Sequence, residues 1–169
     1  ISAGCPGWIA GIVGVLIGGA IGTLNGALIS TMNLPPFIVT LASMSVFRGF
    51  TMLASGGMPV GMQNSISFFG AGYVLGIPFP VIVLAIIAII MLFVLKKTRF
   101  GRHVYALGGN EQTARLCGIK VNKTKIMVYA ISGILAAVSG LIIAARLNSA
   151  QPDAGTSYEM DAIAAAVIG

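Results

Sequence analysis

Long uninterrupted apolar stretches dominate the chain. Four of them, at about 8–31, 34–55, 79–95 and 126–147, are each close to the roughly 20 residues that carry a helix across a bilayer. A fifth begins near residue 161 and is cut off by the end of the sequence. The stretches do not alternate apolar and polar residues in the period of two that a membrane β-barrel needs. The pattern predicts an all-α, polytopic bundle of transmembrane helices.

Composition supports this prediction. Of the 169 residues, 57% are hydrophobic and only 8% are charged, and the mean hydropathy is +0.98. Soluble domains contain about 25% charged residues, so lipid is expected to be the main solvent of this chain. Because the sequence begins without Met and stops inside an apolar run, we expect an excerpt of a longer membrane protein, with one partial transmembrane domain; the alternative is a small protein with a processed start.

Positive charge is concentrated in one polar segment, residues 96–125. This segment holds eight of the ten Lys and Arg residues and one acid, Glu111. A basic segment between two apolar spans marks the cytoplasmic side of a membrane protein, so we expect 96–125 inside and 56–77 and 148–160 outside. The same placement argues against nucleic acid as a partner, in spite of the net charge of +6.

Glycine recurs at every fourth residue in the first apolar stretch. Small residues at this spacing form one stripe on a helix and let two helix backbones approach closely in lipid. The stripe therefore predicts tight helix packing rather than a ligand site. Its members are Gly14, Gly18, Gly22 and Gly26.

Two polar side chains inside the spans are candidates for lining a pathway. They are Asn25 in the first span and Arg48 in the second. An ionisable residue within a span is a functional hypothesis by default. Since Arg48 lies nearer the predicted outer end of its span, where it can reach the interface or a carbonyl group, we favour a structural role for it.

Enzymatic chemistry is not indicated. The single histidine, His103, lies in the basic segment, and the sequence shows no paired carboxylates, Ser/His/Asp set, metal-binding spacing or phosphate-binding Gly-rich motif. We therefore expect no enzyme activity, no cofactor and no metal. A transport subunit driven by a separate ATPase, a secondary transporter or channel, and a structural membrane subunit all stay open. The long spans contain no acids, which disfavours coupling to H⁺ or Na⁺.

The stretch "GGNEQTARLCGI" predicts a short helix with marked ends inside the basic segment. Asn110 is a favourable N-cap, and Glu111 places a negative charge in the first turn. Gly118 suits the position just after the helix. About two turns are too short to be stable alone in water, so a helix with Leu116 and Ile119 exposed among charges is expected to have a partner surface.

Three stretches carry a resemblance to a known family: "GRHVYALGGNEQTARLCGIKVNKTKI", "PPFIVTLASMSVFRGFTMLASGG" and "ARLNSAQPDAGTSYEMDAIAAAVIG". Together they closely resemble the membrane permease subunits of monosaccharide ABC importers, within the branched-chain amino acid/sugar permease family, and are nearest to the ribose type. The resemblance covers essentially the whole chain and implies the helical fold of type II ABC importers. Xylose, galactose or a ribose-like signalling molecule would give a similar pattern.

The resemblance implies a transport subunit in the bacterial inner membrane. Two permease subunits, expected as a homodimer, would form the pathway for a monosaccharide, with a periplasmic sugar-binding protein outside and ABC ATPase subunits inside. The short helix would be the coupling helix that docks on the ATPase. By position, the contact residues would be Gly108, Gly109, Asn110, Glu111, Arg115, Leu116 and Gly118.

Overall fold

The computed structural model describes residues 7–61, 70, 72–74 and 76–168. Over these residues the chain is a bundle of α-helices, which confirms the predicted all-α class. The helices are α1 (Gly7–Met32), α2 (Pro36–Ser55), α3 (Phe79–Lys97), α4 (Arg99–Gly109), α5 (Glu111–Leu116), α6 (Val121–Leu147) and α7 (Tyr158–Ile168). The described strands have two residues each: β1 (Val60–Gly61), β2 (Tyr73–Val74), β3 (Ile77–Pro78) and β4 (Ser149–Ala150).

Four helices, α1, α2, α3 and α6, are long and apolar enough to cross a membrane. Pro36 is the first residue of α2 and Pro80 the second of α3, positions where a missing N–H donor costs no helical hydrogen bond. The largest difference from the predicted bounds is at α6, which begins at Val121 instead of about residue 126. Val121 and Thr124 in its first turns are buried, so tertiary packing extends the helix beyond the apolar run.

The most extensive helix contact among the described residues joins α1 and α6. Gly11 near the start of α1 lies opposite Leu141, whereas Gly26 near its end lies opposite Ile126. The two helices therefore run antiparallel.

The bundle has two distinct ends. At one, which we call the strand end, β1 pairs antiparallel with β4, with Val60 opposite Ala150 and Gly61 opposite Ser149. The other, which we call the basic end, contains α4, α5 and the first turns of α6. The segments that follow α2 and α6 thus lie together at the strand end. Of the predicted outer segment 56–77, residues 62–69, 71 and 75 lie outside the described residues.

Apolar side chains are exposed over most of the bundle. No residue of α3 is buried, and within α2 only Val39 is. Lipid or further helices cover such surfaces in a membrane protein. The buried apolar residues of the described ranges are Ile29, Val39, Ala114, Val121 and Ala145.

The segment 96–125 differs from the expected loop with one short helix, because it also contains α4. Thr98 caps this helix: its hydroxyl oxygen accepts a hydrogen bond from the backbone N–H of Gly101 at 3.2 Å and donates one to the carbonyl of Val94 at 2.6 Å. Gly101 is buried, and a Cβ there would collide with the backbone of Leu95. The chain therefore turns directly from α3 into α4.

A periodic apolar face, which was not predicted, holds α4 against the bundle. Phe100, Val104 and Leu107 recur at the i, i+4, i+7 spacing of one helix face, and all three are half-buried. Phe100 and Val104 line a cleft of about 230 Å³ between α3, α4 and α6. Its lining is apolar apart from Ser132, which suits lipid or a packed side chain better than a polar solute.

Candidate functional site

Both ends of α5 are capped as the sequence predicts. The side-chain oxygen of Asn110 accepts a hydrogen bond from the backbone N–H of Thr113 at 3.0 Å. Gly118 has a φ of +79°, and its N–H donates to the carbonyl of Arg115 at 3.0 Å. The N–H of Ile119 donates to the carbonyl of Ala114 at 3.1 Å. These last two bonds form a Schellman motif, in which a left-handed glycine ends the helix.

One side of α5 faces the protein and the other faces away from it. Ala114 is only 3% exposed, whereas Leu116 is 89% exposed. Ile119, which was expected to be exposed with Leu116, is instead half-buried. The Schellman turn folds it back towards α5, where an apolar contact commonly accompanies this motif. Leu116 is therefore the large apolar side chain that α5 leaves uncovered.

Glu111 lies at the centre of a small ionic cluster. One carboxylate oxygen accepts a hydrogen bond from Lys125 of α6 at 2.7 Å, and the other accepts one from Arg115, one turn along α5, at 2.9 Å. The hydrogen bonds from Lys125 and then Arg115 hold the pKa of Glu111 below its ordinary value. The acid that was expected to touch a partner thus has both oxygens engaged within this chain.

Gly108 and Gly109 are the last two residues of α4, not part of a loop. Both are exposed, and a Cβ at either position would meet no described atom within 4 Å. They lie next to Asn110, which ends α4 and begins α5. The structure thus brings all seven predicted contact residues together at the basic end, with Arg115, Leu116 and the glycines facing outward.

The glycine stripe of α1 lies on α6. A Cβ at Gly18 would be 2.5 Å from the Cβ of Ala137. At Gly22 it would collide with the carbonyl oxygen of Tyr129, and at Gly26 it would be 2.8 Å from the Cα of Ile126. Gly14 is less tightly packed, since its nearest neighbour is a side-chain atom of Leu141 at 3.9 Å.

The glycine of α6 that meets this stripe, Gly133, was not among the predicted packing residues. A Cβ at Gly133 would collide with the carbonyl oxygen of Gly18 and lie 3.0 Å from the Cα of Gly22. Gly133 and Gly140 each follow a serine and precede an apolar residue, so the sequence carried no signal that distinguished them. Backbone meets backbone at this crossing, which is the arrangement that small residues permit in lipid.

Asn25 and Arg48 are not brought together. Asn25 is half-buried next to Gly26, near the basic end of α1. Arg48 is half-buried towards the strand end, where its guanidinium donates to the hydroxyl of Thr156 at 3.3 Å. This contact joins α2 to the segment before α7, which fits a structural role for Arg48.

The residue types that can bind metals are scattered over the described part of the chain. Its His, Cys, Asp and Glu residues form no group of three that could hold a metal ion. Cys117 is exposed at the end of α5, and Cys5 lies outside the described residues. What the basic end offers is a small capped helix with an outward apolar side chain, which suits docking of another protein.

Comparison with known proteins gives consistent matches. Over residues 1–169 the chain matches the family described as branched-chain amino acid transport system / permease component. It is 49% identical over 140 residues to the ribose import permease protein of Bacillus subtilis, covering 81% of this chain and 44% of the relative. It is 45% identical over 163 residues to the ribose import permease protein of Haemophilus influenzae, covering 94% and 49%.

A third relative has a different sugar in its name. The D-allose transport system permease protein of Escherichia coli is 43% identical over 169 residues, covering 99% of this chain and 52% of the relative. The chain thus spans about half the length of these curated relatives. No solved structure matches it. The chain belongs to the family of branched-chain amino acid transport system / permease components, whose members are transport subunits and not enzymes.

Proposed function

We propose that this chain is part of the transmembrane subunit of an ATP-driven importer and helps to form the pathway for a monosaccharide, with ribose as the substrate. The observation that carries the proposal is the 49% identity over 140 residues to a ribose import permease. The four apolar helices and the capped α5 support it, because they supply spans and a site for an external energy source. A neutral sugar also fits spans α1, α2, α3 and α6, which contain no acids.

The basic end is proposed to face the cytoplasm of a bacterial cell, with the chain in the inner membrane. Eight of the ten basic residues belong to 96–125, in agreement with the positive-inside rule. The strand end would then face the periplasm, where the segment 148–160 carries Asp153 and Glu159 and no base. A periplasmic sugar-binding protein is proposed to dock there.

The ABC ATPase is proposed to dock on α5. Leu116 supports this because it is 89% exposed and stands beside Arg115 on a helix that is itself fixed by two caps. Apolar and arginine side chains at a rigid, exposed position are favourable anchors for an interface. The exposed apolar faces of α2 and α3 are proposed to meet lipid and a second permease subunit, as in a homodimer.

The decisive experiment expresses the chain at its native length with an ATPase subunit and measures co-purification and ribose uptake. We expect both in the wild type. Leu116→Ser should lower ATPase co-purification, whereas the matched control Leu53→Ser should not, since Leu53 is 84% exposed at the opposite end. If no ATPase co-purifies with the wild type while ribose uptake persists, the chain acts as a secondary transporter and the proposal is wrong.

A further inference from the structure

We infer that Glu111 and Lys125 form a positioning pair that fixes α5 to α6, so that a displacement of α5 is passed to α6 instead of being absorbed between them. The inference rests on the proposed function, because it assumes that an ATPase moves α5. It differs from the expectation that Glu111 touches the ATPase directly. The pair acts inside this chain and contacts neither the ATPase nor the sugar.

The pair matters because α5 is short. A helix of six residues is not stable alone, and the chain joins it to α6 only through residues 117–120. The Schellman turn secures the end of α5, and Ala114 is buried on its inner side. Glu111 is the first residue of the helix, at the end away from this connection. Its bond to Lys125 closes residues 111–125 into a ring, so that α5 is tied to α6 at both of its ends.

Burial and geometry make Lys125 the more informative partner. Its side chain is 22% exposed, whereas that of Arg115 is 50% exposed. The Arg115 bond lies within α5 and orients the carboxylate, but it cannot restrain α5 relative to α6. The Lys125 bond of 2.7 Å crosses between the two helices. Loss of Lys125 therefore removes the restraint while leaving Glu111 with a partner.

Lys125 is placed where α6 meets α1. The next residue, Ile126, packs with its backbone against Gly26, so closely that a Cβ at Gly26 would be 2.8 Å from the Cα of Ile126. Further along α6, backbone atoms also lie against Gly18 and Gly22 of α1, and backbone atoms cannot yield as flexible side chains do. A push on α5 that reaches Lys125 is thus delivered to α1 and α6 together.

The test uses the chain at its native length in the importer reconstituted in liposomes, with ribose as the probe. It measures ribose transported per ATP hydrolysed, the amount of ATPase bound and the membrane level of each variant. For Lys125→Gln we expect transport per ATP to fall roughly fivefold, as for loss of a partly shielded ion pair, with ATPase binding unchanged. Lys125→Arg should stay near the wild type, and so should Lys123→Gln, an exposed lysine on the same turn of α6.

Reversing the charges of Glu111 and Lys125 distinguishes a need for the ion pair from a need for each residue by itself. Glu111→Lys and Lys125→Glu should each lower transport per ATP, with Arg115 left in place because it belongs to the proposed docking surface for the ATPase. Their combination should restore part of it.

The outcomes are distinguishable. Unchanged transport per ATP in Lys125→Gln overturns the inference, as does loss of ATPase binding, because the pair would then belong to the docking surface itself. Failure of the combined reversal to exceed both single reversals also overturns it. If the wild type itself neither binds an ATPase nor imports ribose, the proposed function fails, and this inference with it.

Discussion

Replacing Gly22 by Ala is the sharpest test of how α1 packs on α6. A Cβ at this position would collide with the carbonyl oxygen of Tyr129 and lie 3.2 Å from the Cα of Ala130. Both are backbone atoms of α6, which cannot rotate away as the end of a side chain can. A single added methyl group must therefore push the two helices apart.

The size of the effect follows from the separations along the seam. The Cβ at Gly22 would lie 3.2 Å from the Cα of Ala130 and closer still to the carbonyl oxygen of Tyr129, whereas favourable contacts between carbon atoms lie at about 3.5–4.0 Å, so the helices must separate by roughly 1 Å. Overpacking of this kind costs about 1–3 kcal/mol. Alanine in place of glycine in a helix stabilises by about 0.5–1 kcal/mol. We expect Gly22→Ala to be destabilising by about 1–2 kcal/mol on balance.

The assay heats detergent-solubilised variants to a series of temperatures and measures the fraction that stays folded. The midpoint of that curve is the apparent melting temperature of each variant. Gly140→Ala is the matched control, since it lies on α6 and its Cβ would meet no described atom within 4 Å. Gly14→Ala is a second control, within the same stripe, because a Cβ there would make an ordinary contact of 3.9 Å with a side-chain atom of Leu141. Only Gly22→Ala should melt below the wild type. If it is as stable as Gly140→Ala, the close packing of α1 on α6 is wrong.

Three further predictions concern the two ends of the bundle. Gln112 and Ala150 are both exposed. Cysteines placed there in a cysteine-free background should react with membrane-impermeant reagents from opposite sides of the membrane. Labelling of both from the same side would refute the assignment of the basic end and the strand end to opposite sides. Gly118→Ala should lower the melting temperature, at a cost of about 1 kcal/mol, because the φ of Gly118 is +79°. The control Gly108→Ala, which has open space around its Cβ, should melt like the wild type. Equal melting temperatures of the two variants would contradict a left-handed glycine at the end of α5. The ion pairs of Glu111 lower its pKa. Their contribution to the stability of the fold is therefore complete above the ordinary pKa of 4.5 and is lost as the pH falls through the lowered pKa. The difference in melting temperature between the wild type and Glu111→Gln should therefore be constant from about pH 7 to about pH 5 and shrink on further acidification; a difference that grows with acid would contradict the ion pairs.

Features that depend on nearby residues could be predicted from the sequence. The caps of α5 are set by Asn110, three residues before its donor, and by Gly118, which adopts a left-handed φ. The glycine stripe was visible because its period of four places its members on one helix face. The spans were visible because lipid requires long apolar helices. In each case the physical cause acts within one helix.

Features that depend on how elements meet could not be predicted in this way. Nothing in the sequence indicates that Gly133 rather than Gly140 lies at the α1–α6 crossing, because the choice depends on the register of two separate helices. The ion pair of Glu111 with Lys125 joins residues 14 apart and requires the turn between α5 and α6. The apolar face of α4, by contrast, was present in the sequence but obscured by the surrounding Arg, His and Gly residues.

The 27 residues of α6 link these separate features. At a rise of 1.5 Å per residue the helix is about 40 Å long, enough to cross a bilayer. Its first turns bind α5 through Lys125, its middle meets α1 through Gly133, and the strand that follows it, β4, pairs with β1. Since α1 and α6 touch through backbone, one cannot slide past the other without repacking the seam. Motion that enters at the basic end is therefore expected to reach the strand end as a rigid displacement of this helix pair, which is the mechanical property that the proposed ATP-driven pathway would require.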